Sequence, residues 1–203
     1  MKDCITRNIA FFDAEYTALN EKDRGIQEMI QCAFVVYKIE LSDDQKLVSM
    51  SNEPIFIYNT FVRPVYNRTL SPYIKKLTGI EQEDVDTGKL FVDALNDLCS
   101  VVDKYKVGDI LTWGPDRMVL KKNCDVLDCC NKKTRKLLDK FSDVSEALSD
   151  LLGYEAILSQ HRVCELLLIA EIGDLHDAYC DATNLSKIIK SFIGIDVRQL
   201  FGH

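Results

Sequence analysis

No run of residues in this 203-residue chain approaches the length of a membrane span, and residues 1–8 hold no apolar core of the kind that marks a secretory leader. Both a membrane role and export are outside what these residues predict. Cys-x-x-Cys is missing as well. Of eight cysteines only Cys129-Cys130 are close neighbours in a pair, so neither a disulfide framework nor a structural zinc site is indicated, and a reduced, cytoplasmic compartment is the expectation. Cys124, Cys129 and Cys130 have no histidine at ligand spacing beside them, which sets aside a metal site there. An excess of basic residues is also lacking: 25 Lys and Arg stand against 32 Asp and Glu, a net charge of −7. That balance argues against a protein that coats nucleic acid through phosphate contacts alone. It leaves room for an enzyme whose bound metal ions supply the local positive charge. With 47% hydrophobic and 28% charged residues the chain has an ordinary globular mix, and its length suits a single domain over residues 1–203.

What is present begins with Asn8-Ile-Ala-Phe-Phe12, a mostly apolar stretch that reads as a buried central strand. Asp13 and Glu15 follow at i and i+2, a spacing that points both carboxylates to the same side of a strand. Two charges at the end of a buried strand are costly unless neutralised, and a hard divalent cation such as Mg²⁺ or Mn²⁺ would do so. The other reading is a strand that runs out into a loop with two solvated acids. Which one holds depends on what the rest of the chain brings to this pair.

Residues 18–27, with Gly25, read as a turn or surface loop. Residues 29–39 are rich in β-branched and aromatic side chains and read as a second strand; residues 42–45 are a turn, and residues 53–62 read as a third strand that residues 46–50 could begin. These three strands are expected to be antiparallel. Ser71-Pro72 opens a short helix that closes at Gly79. Asp86 or Thr87 caps a longer helix to residue 103, whose Phe91, Leu95, Leu98 and Val102 form a core stripe. Residues 108–113 form a fourth strand, and after Gly114-Pro115 comes Asp116 at the head of a helix. Asp116 suits an N-cap, and it also stands at the C-terminal end of a strand, where open α/β sheets place ligands. The basic cluster of residues 132–136 reads as solvated surface or as a phosphate contact. Residues 135–141 are expected to supply a short fifth strand, and residues 143–152 and 159–170 two more helices. The last helix, residues 177–192, buries Ala178, Ala182, Leu185 and Ile189. His176 and Asp181 are five apart, about 140° on a helix. They serve one site only if His176 lies on the incoming loop, with Asp174 or Asp177 as N-cap. His161 and His203 carry a structural reading.

Asp-x-Glu on the first strand, Asp after Trp-Gly-Pro, and His-x₄-Asp at the last helix together resemble the DEDDh family of 3′–5′ exonucleases, relatives of proofreading exonucleases and ribonuclease H. The matching residues are Asp13, Glu15, Asp116, His176 and Asp181. Phe61-Val-Arg-Pro64, Leu77-Thr-Gly-Ile80 and Glu83-Asp-Val-Asp86 resemble the subgroup of histone-mRNA and small-RNA trimming and sporulation-inhibitor-type enzymes. The chain departs from the family at Tyr16, where many relatives have Thr, and at Pro115 before the second-motif Asp.

The resemblance implies a ribonuclease H-like α/β fold: a mixed five-stranded sheet, its first three strands antiparallel, flanked by helices. It implies two Mg²⁺ or Mn²⁺ ions, one held by Asp13, Glu15 and Asp181, the second bridged by Asp13, with Asp116 completing the site through a coordinated water. His176 would be the general base, and nucleoside 5′-monophosphates would leave from the 3′ end of single-stranded RNA or DNA. Ala14, Tyr16 and Thr17 flank the acids and are the candidate contacts to the terminal nucleotide. The competing readings are a ribonuclease-H-like endonuclease, a non-catalytic regulator on the same fold, and a proofreading subunit. A second copy of the chain and a polymerase are the candidate protein partners, and no polymerase-binding tail is visible.

Overall fold

The computed structural model describes residues 4–18 and 25–200. Most of the loop expected at residues 18–27, and His203, lie outside the described residues. The centre of the fold is β1 (Ile5–Tyr16), paired antiparallel with β2 (Met29–Leu41) and parallel with β6 (Val107–Thr112). It is extended because alternate residues feed two cores: Ile9 and Phe11 bury on one face, Ala10, Phe12 and Ala14 on the other. β2 does the same with Ala33, Val35 and Tyr37 against Cys32, Phe34 and Val36.

Among the described residues the sheet is mixed and has seven strands, in the order β5–β4–β2–β1–β6–β7 with β3 also on β2. The α/β expectation and the antiparallel opening strands hold; the strand count is larger than the five expected. β3 (Leu47–Met50) and β4 (Phe56–Arg63) both pair with β2, β3 with residues 39–41 and β4 with residues 31–36. They act as one strand interrupted around Pro54, which has no N–H for the ladder. β5 (Lys89–Leu90) is parallel to β4, and β7 (Phe141–Asp143) is parallel to β6.

Helices cover both faces. α1 (Pro72–Thr78) begins and ends as its sequence implies: Ser71 accepts from the Ile74 N–H, and Gly79 closes it in the left-handed conformation. α2 (Gln82–Asp86) ends at Thr87, its C-cap, so neither Asp86 nor Thr87 caps the longer helix expected after them, which starts at Phe91 with Leu90 before it. Gly88 passes so close to Phe61 that a Cβ would sit 2.9 Å from its carbonyl, which lets β5 join the sheet before α3 (Phe91–Tyr105) starts. Phe91, Leu95, Leu98 and Val102 are buried on α3 as read.

α3 packs with α4 (Asp116–Val126) and α5 (Lys132–Leu138) on one face of the sheet. α6 (Ser145–Leu151), α7 (Gln160–Leu166) and α8 (Ala178–Ser191) pack on the other. The short strand expected at residues 135–141 is instead mostly α5. Asn131 accepts from the Lys133 and Thr134 N–H groups, the Thr134 hydroxyl accepts from the Asn131 N–H, and this reciprocal cap starts a helix. Thr134, Leu137 and Leu138 turn inward and the basic residues stay exposed. No helix among the described residues is long and apolar enough to cross a membrane. The described cysteines are all free thiols.

α7 ends in a Schellman turn, with the Ile169 N–H bonded to the Cys164 carbonyl at 2.9 Å, and Leu168 occupies its left-handed position at φ 54°. Leu168 is 92% exposed, so its side chain gains nothing that offsets a conformation suited to glycine. Leu168→Gly is expected to stabilise the protein by about 1 kcal/mol, a rise of ~2–4 °C in Tm. A lowered Tm would show that the leucine packs in solution.

Candidate active site

β1 pairs with β6 only as far as Phe11 with Leu111, so the segment of β1 that carries Asp13 and Glu15 runs past the end of β6. The chain leaving β6 turns through Trp113, Gly114 and Pro115 into α4. Gly114 takes φ 117°, and its N–H is held by Asp143 Oδ1 at 2.9 Å. That turn puts Asp116 in the first turn of α4, beside the acids of β1. Pro115 holds the N-cap position, and the Asp116 carboxylate makes no capping bond; its Oδ1 accepts from the Tyr16 hydroxyl at 2.7 Å. Asn123 locks the other end of α4 to the start of β2, accepting from the Met29 N–H at 3.2 Å and donating to the Gln27 carbonyl at 2.7 Å.

The last pair arrives on α8. Asp177 is its N-cap, with Oδ1 accepting from the Cys180 N–H at 2.9 Å, so His176 does precede the first turn. Gln31, buried on β2, fixes this junction to the sheet. Its amide donates to Asp177 Oδ2 at 3.1 Å, and its carbonyl accepts from the Ala178 N–H at 3.3 Å. His176 takes φ 66°, a left-handed conformation that is costly for a residue with a Cβ. Its N–H donates to Asp181 Oδ2 at 3.1 Å. Potential ligand atoms of Glu15, His176 and Asp181 all lie within 4.8 Å of one another. Asp13, Glu15, Asp116, His176 and Asp181 therefore line one cleft of about 590 Å³.

Ala14 and Tyr16 line the cleft too, but Thr17 does not. Its hydroxyl accepts from the Glu28 N–H and from the Asn67 amide, and it faces a neighbouring pocket. The sequence reading did not single out Gln31, Gln160, Leu175 or a role for His161 in this cleft. Gln31 had a signal, an amide near the start of a strand whose residues 29–37 are otherwise apolar or aromatic; the other three had none. Gln160 donates to the Asp181 carbonyl at 2.8 Å, and Trp113 donates to the Leu158 carbonyl at 3.2 Å, which fixes the segment before α7 as a wall of the cleft.

Four carboxylates in one partly buried cleft repel one another. Burial pushes Asp13 well above the usual carboxylate range, and Asp116, Glu15 and Asp181 push it further. Burial raises Glu15 to about 8, with Asp181 and Asp116 adding to it. Asp116 rises to about 7 through burial, held back by the Tyr16 hydrogen bond. Asp181 rises to about 6 through burial, held back by the His176 N–H. A set of carboxylate oxygens with an imidazole beside them, disfavoured as bare charges, fits hard divalent cations.

These shifts have a sign. A carboxyl ordinarily titrates near 4; raised in the fold, it binds a proton that the unfolded chain has already lost. Its stabilisation is full below about pH 4 and is lost as pH rises through about 6 for Asp181, 7 for Asp116 and 8 for Glu15. In EDTA, Tm is expected to fall between pH 5 and pH 8. Glu15→Gln, which removes one of the titrating groups, is expected to flatten that fall. A wild-type Tm constant or rising over this range in EDTA would contradict the electrostatics.

The exonuclease family model (RNase_T) matches residues 10–189. Among curated relatives, the probable 3′-5′ exonuclease KapD of Bacillus subtilis is 27% identical over 143 residues, 70% of this chain and 67% of that protein. Among solved structures, the nuclease domain of 3′hExo, a DEDDh family member bound to rAMP, superposes with a TM-score of 0.72 at 19% identity, covering 91% of this chain and 90% of that one. S. pombe Pop2p in its Mg²⁺- and Mn²⁺-bound form superposes with a TM-score of 0.63 at 16% identity, covering 94% and 82%. At such identities these two superpositions speak for the ribonuclease H-like fold. With the family model spanning both strands and helices that build the cleft, the chain belongs to the exonuclease family, enzymes that hydrolyse phosphodiesters at the end of a nucleic-acid strand.

Proposed function

We propose that this chain removes nucleotides from the 3′ end of single-stranded RNA or DNA by metal-dependent hydrolysis, releasing nucleoside 5′-monophosphates. The observation that carries the reading is the convergence of Asp13, Glu15, Asp116 and Asp181 with His176 in one cleft, from three separate elements and the loop before α8. Held by these carboxylates, a pair of Mg²⁺ or Mn²⁺ ions would offset their repulsion and stabilise the charge that develops on the reacting phosphate. Asp13, Glu15, Asp116 and Asp181 would hold these ions, with Glu15 and Asp181 offering ligand atoms within 4.8 Å of each other. The bound state of Pop2p, with Mg²⁺ and Mn²⁺, supports this choice of ions.

His176 is the general base. It is exposed on the loop before α8, near the oxygens of Glu15 and Asp181, where an imidazole can take the proton of an attacking water. Its strained backbone, pinned by the Asp181 bond and by the Gln31-held cap of Asp177, keeps it at the mouth of the cleft and off the helix. Asp181 thus has two tasks, an ion ligand through its carboxylate and a positioner of the base. Ala14 leaves room beside the acids for the terminal nucleotide. The Tyr16 ring closes the cleft beside Asp116 while its hydroxyl orients that carboxylate. The rAMP bound to 3′hExo is a nucleotide of the product class proposed here.

The test is degradation of 5′-labelled single-stranded RNA and DNA with Mg²⁺, Mn²⁺ or EDTA. The expected result is a ladder that shortens from the 3′ end, disappears in EDTA, and is slowed by about 10²- to 10⁴-fold in kcat by His176→Ala. Products that co-migrate with 5′-monophosphates complete it. Metal-independent cleavage, or a His176→Ala variant as fast as wild type, would overturn the mechanism. No cleavage of either polymer would overturn the activity.

A further inference from the structure

The cleft holds a second imidazole that the mechanism does not use. His161 stands in the first turn of α7 and lines the same cleft as Asp13, Glu15, Asp116, His176 and Asp181. Its neighbour Gln160 ties this turn to the Asp181 carbonyl, so the position of the ring relative to the acids is fixed by α7 and α8 together. His161 Nδ1 is 2.6 Å from Glu171 Oε2. The Glu171 side chain is mostly buried, and its other oxygen, Oε1, has no hydrogen-bond partner among the described residues. A buried carboxylate in that state favours a ring that donates to it from Nδ1; as an imidazolium the same ring also carries an N–H at Nε2, and in that form Nε2 can donate to an incoming phosphate oxygen. The nearest other charge, Glu165 Oε1, is 3.6 Å from Nε2, beyond a good hydrogen bond, and Glu165 is already engaged through Oε2 with Arg162 at 2.7 Å.

The charge of the cleft gives this ring a task. Its described lining contains four acids and no lysine or arginine, in a chain of net charge −7. Bound ions would offset the acids at the scissile phosphate, but the next phosphate of the strand would have no cationic side chain to meet in the described lining apart from the histidines. His176 is committed to the reacting water, and His161 is left.

We infer that His161, oriented by Glu171, binds a phosphate oxygen of the incoming strand upstream of the scissile bond. The inference rests on the proposed exonuclease reading, and it deepens that reading by naming where the polynucleotide beyond its last nucleotide is held. His161 is on this account a substrate-contacting residue, and Glu171 is a positioning residue that acts through it.

The test is binding, measured apart from turnover. Fluorescence anisotropy of a labelled single-stranded oligonucleotide, in a His176→Ala background with Mg²⁺, gives Kd; a nucleoside 5′-monophosphate, which lacks the upstream phosphate, is the second probe, read by competition. His161→Ala is expected to weaken oligonucleotide binding about tenfold, the size of one charge-assisted hydrogen bond, and to leave the mononucleotide unchanged. His161→Arg is expected to restore oligonucleotide binding, which a merely structural role would not allow. Glu171→Gln is expected to give a smaller loss in the same direction, and Tm reports whether each variant is folded. An unchanged oligonucleotide Kd in His161→Ala would overturn the assignment, as would an equal loss with both probes. Failure of the exonuclease reading shows elsewhere, as absence of turnover in wild type, so the two outcomes are distinct.

Discussion

The mutual repulsion of four carboxylates that share one cleft is the constraint to which the rest of the structure answers. Burial lifts Asp13, Glu15, Asp116 and Asp181; Asp116, Glu15 and Asp181 lift Asp13 further, and Asp181 and Asp116 lift Glu15 further. No fold would gather these groups for stability, because removing them to water would lower the free energy of the isolated chain. What holds them is the apolar remainder of the elements they stand on. β1 buries Ile9, Ala10, Phe11 and Phe12 completely or almost so before it presents Asp13. α8 buries Ala178, Ala182, Leu185, Ile188 and Ile189 behind Asp181. The hydrophobic effect in two cores fixes the charges of one site.

Around this cluster a set of neutral hydrogen bonds sets orientation. Tyr16 takes one oxygen of Asp116; the His176 N–H takes one oxygen of Asp181; Gln31 and the Cys180 N–H hold Asp177. Each such bond leaves part of a carboxylate or a ring facing the cleft. Glu28 does the same job one layer out, where its buried carboxylate accepts from the N–H groups of Val65, Tyr66 and Asn67 and pins the segment that follows β4. A site of fixed dipoles and fixed acids needs little rearrangement when charge develops in it, which is the physical content of preorganisation.

The parts of this arrangement that the sequence displays are those governed by local periodicity. The i, i+2 spacing of Asp13 and Glu15 follows from the pleat of a strand, and the requirement that His176 precede the last helix follows from the turn angle between positions 176 and 181. Ser71-Pro72 and Gly79 bound α1 because caps act within one turn. Other features were hidden because they depend on partners distant in sequence. Residues 135–141 read as a short strand, yet the Asn131–Thr134 cap and the buried face of Leu137 and Leu138 make most of them helix. Of the two readings of Asp116, the N-cap fails because its carboxylate turns to Tyr16, a hundred residues earlier, and its place at the end of a strand in the cleft holds. Thr17 follows the acids in sequence, but its hydroxyl is taken by the Glu28 N–H and the Asn67 amide, partners distant in sequence. His161 gave no signal at all, since only the fold brings α7 to the edge of the cleft.

The central claim is that these carboxylates form a site for divalent cations and are partly protonated until the ions arrive. Isothermal titration calorimetry of Mn²⁺ into the metal-free protein at pH 7, repeated in buffers of different ionisation heat, counts the protons that binding displaces. With Glu15 at about 8 and Asp116 at about 7, about one proton or more is predicted to leave per protein. Binding of Mn²⁺ with no proton release, or no binding, would contradict the account.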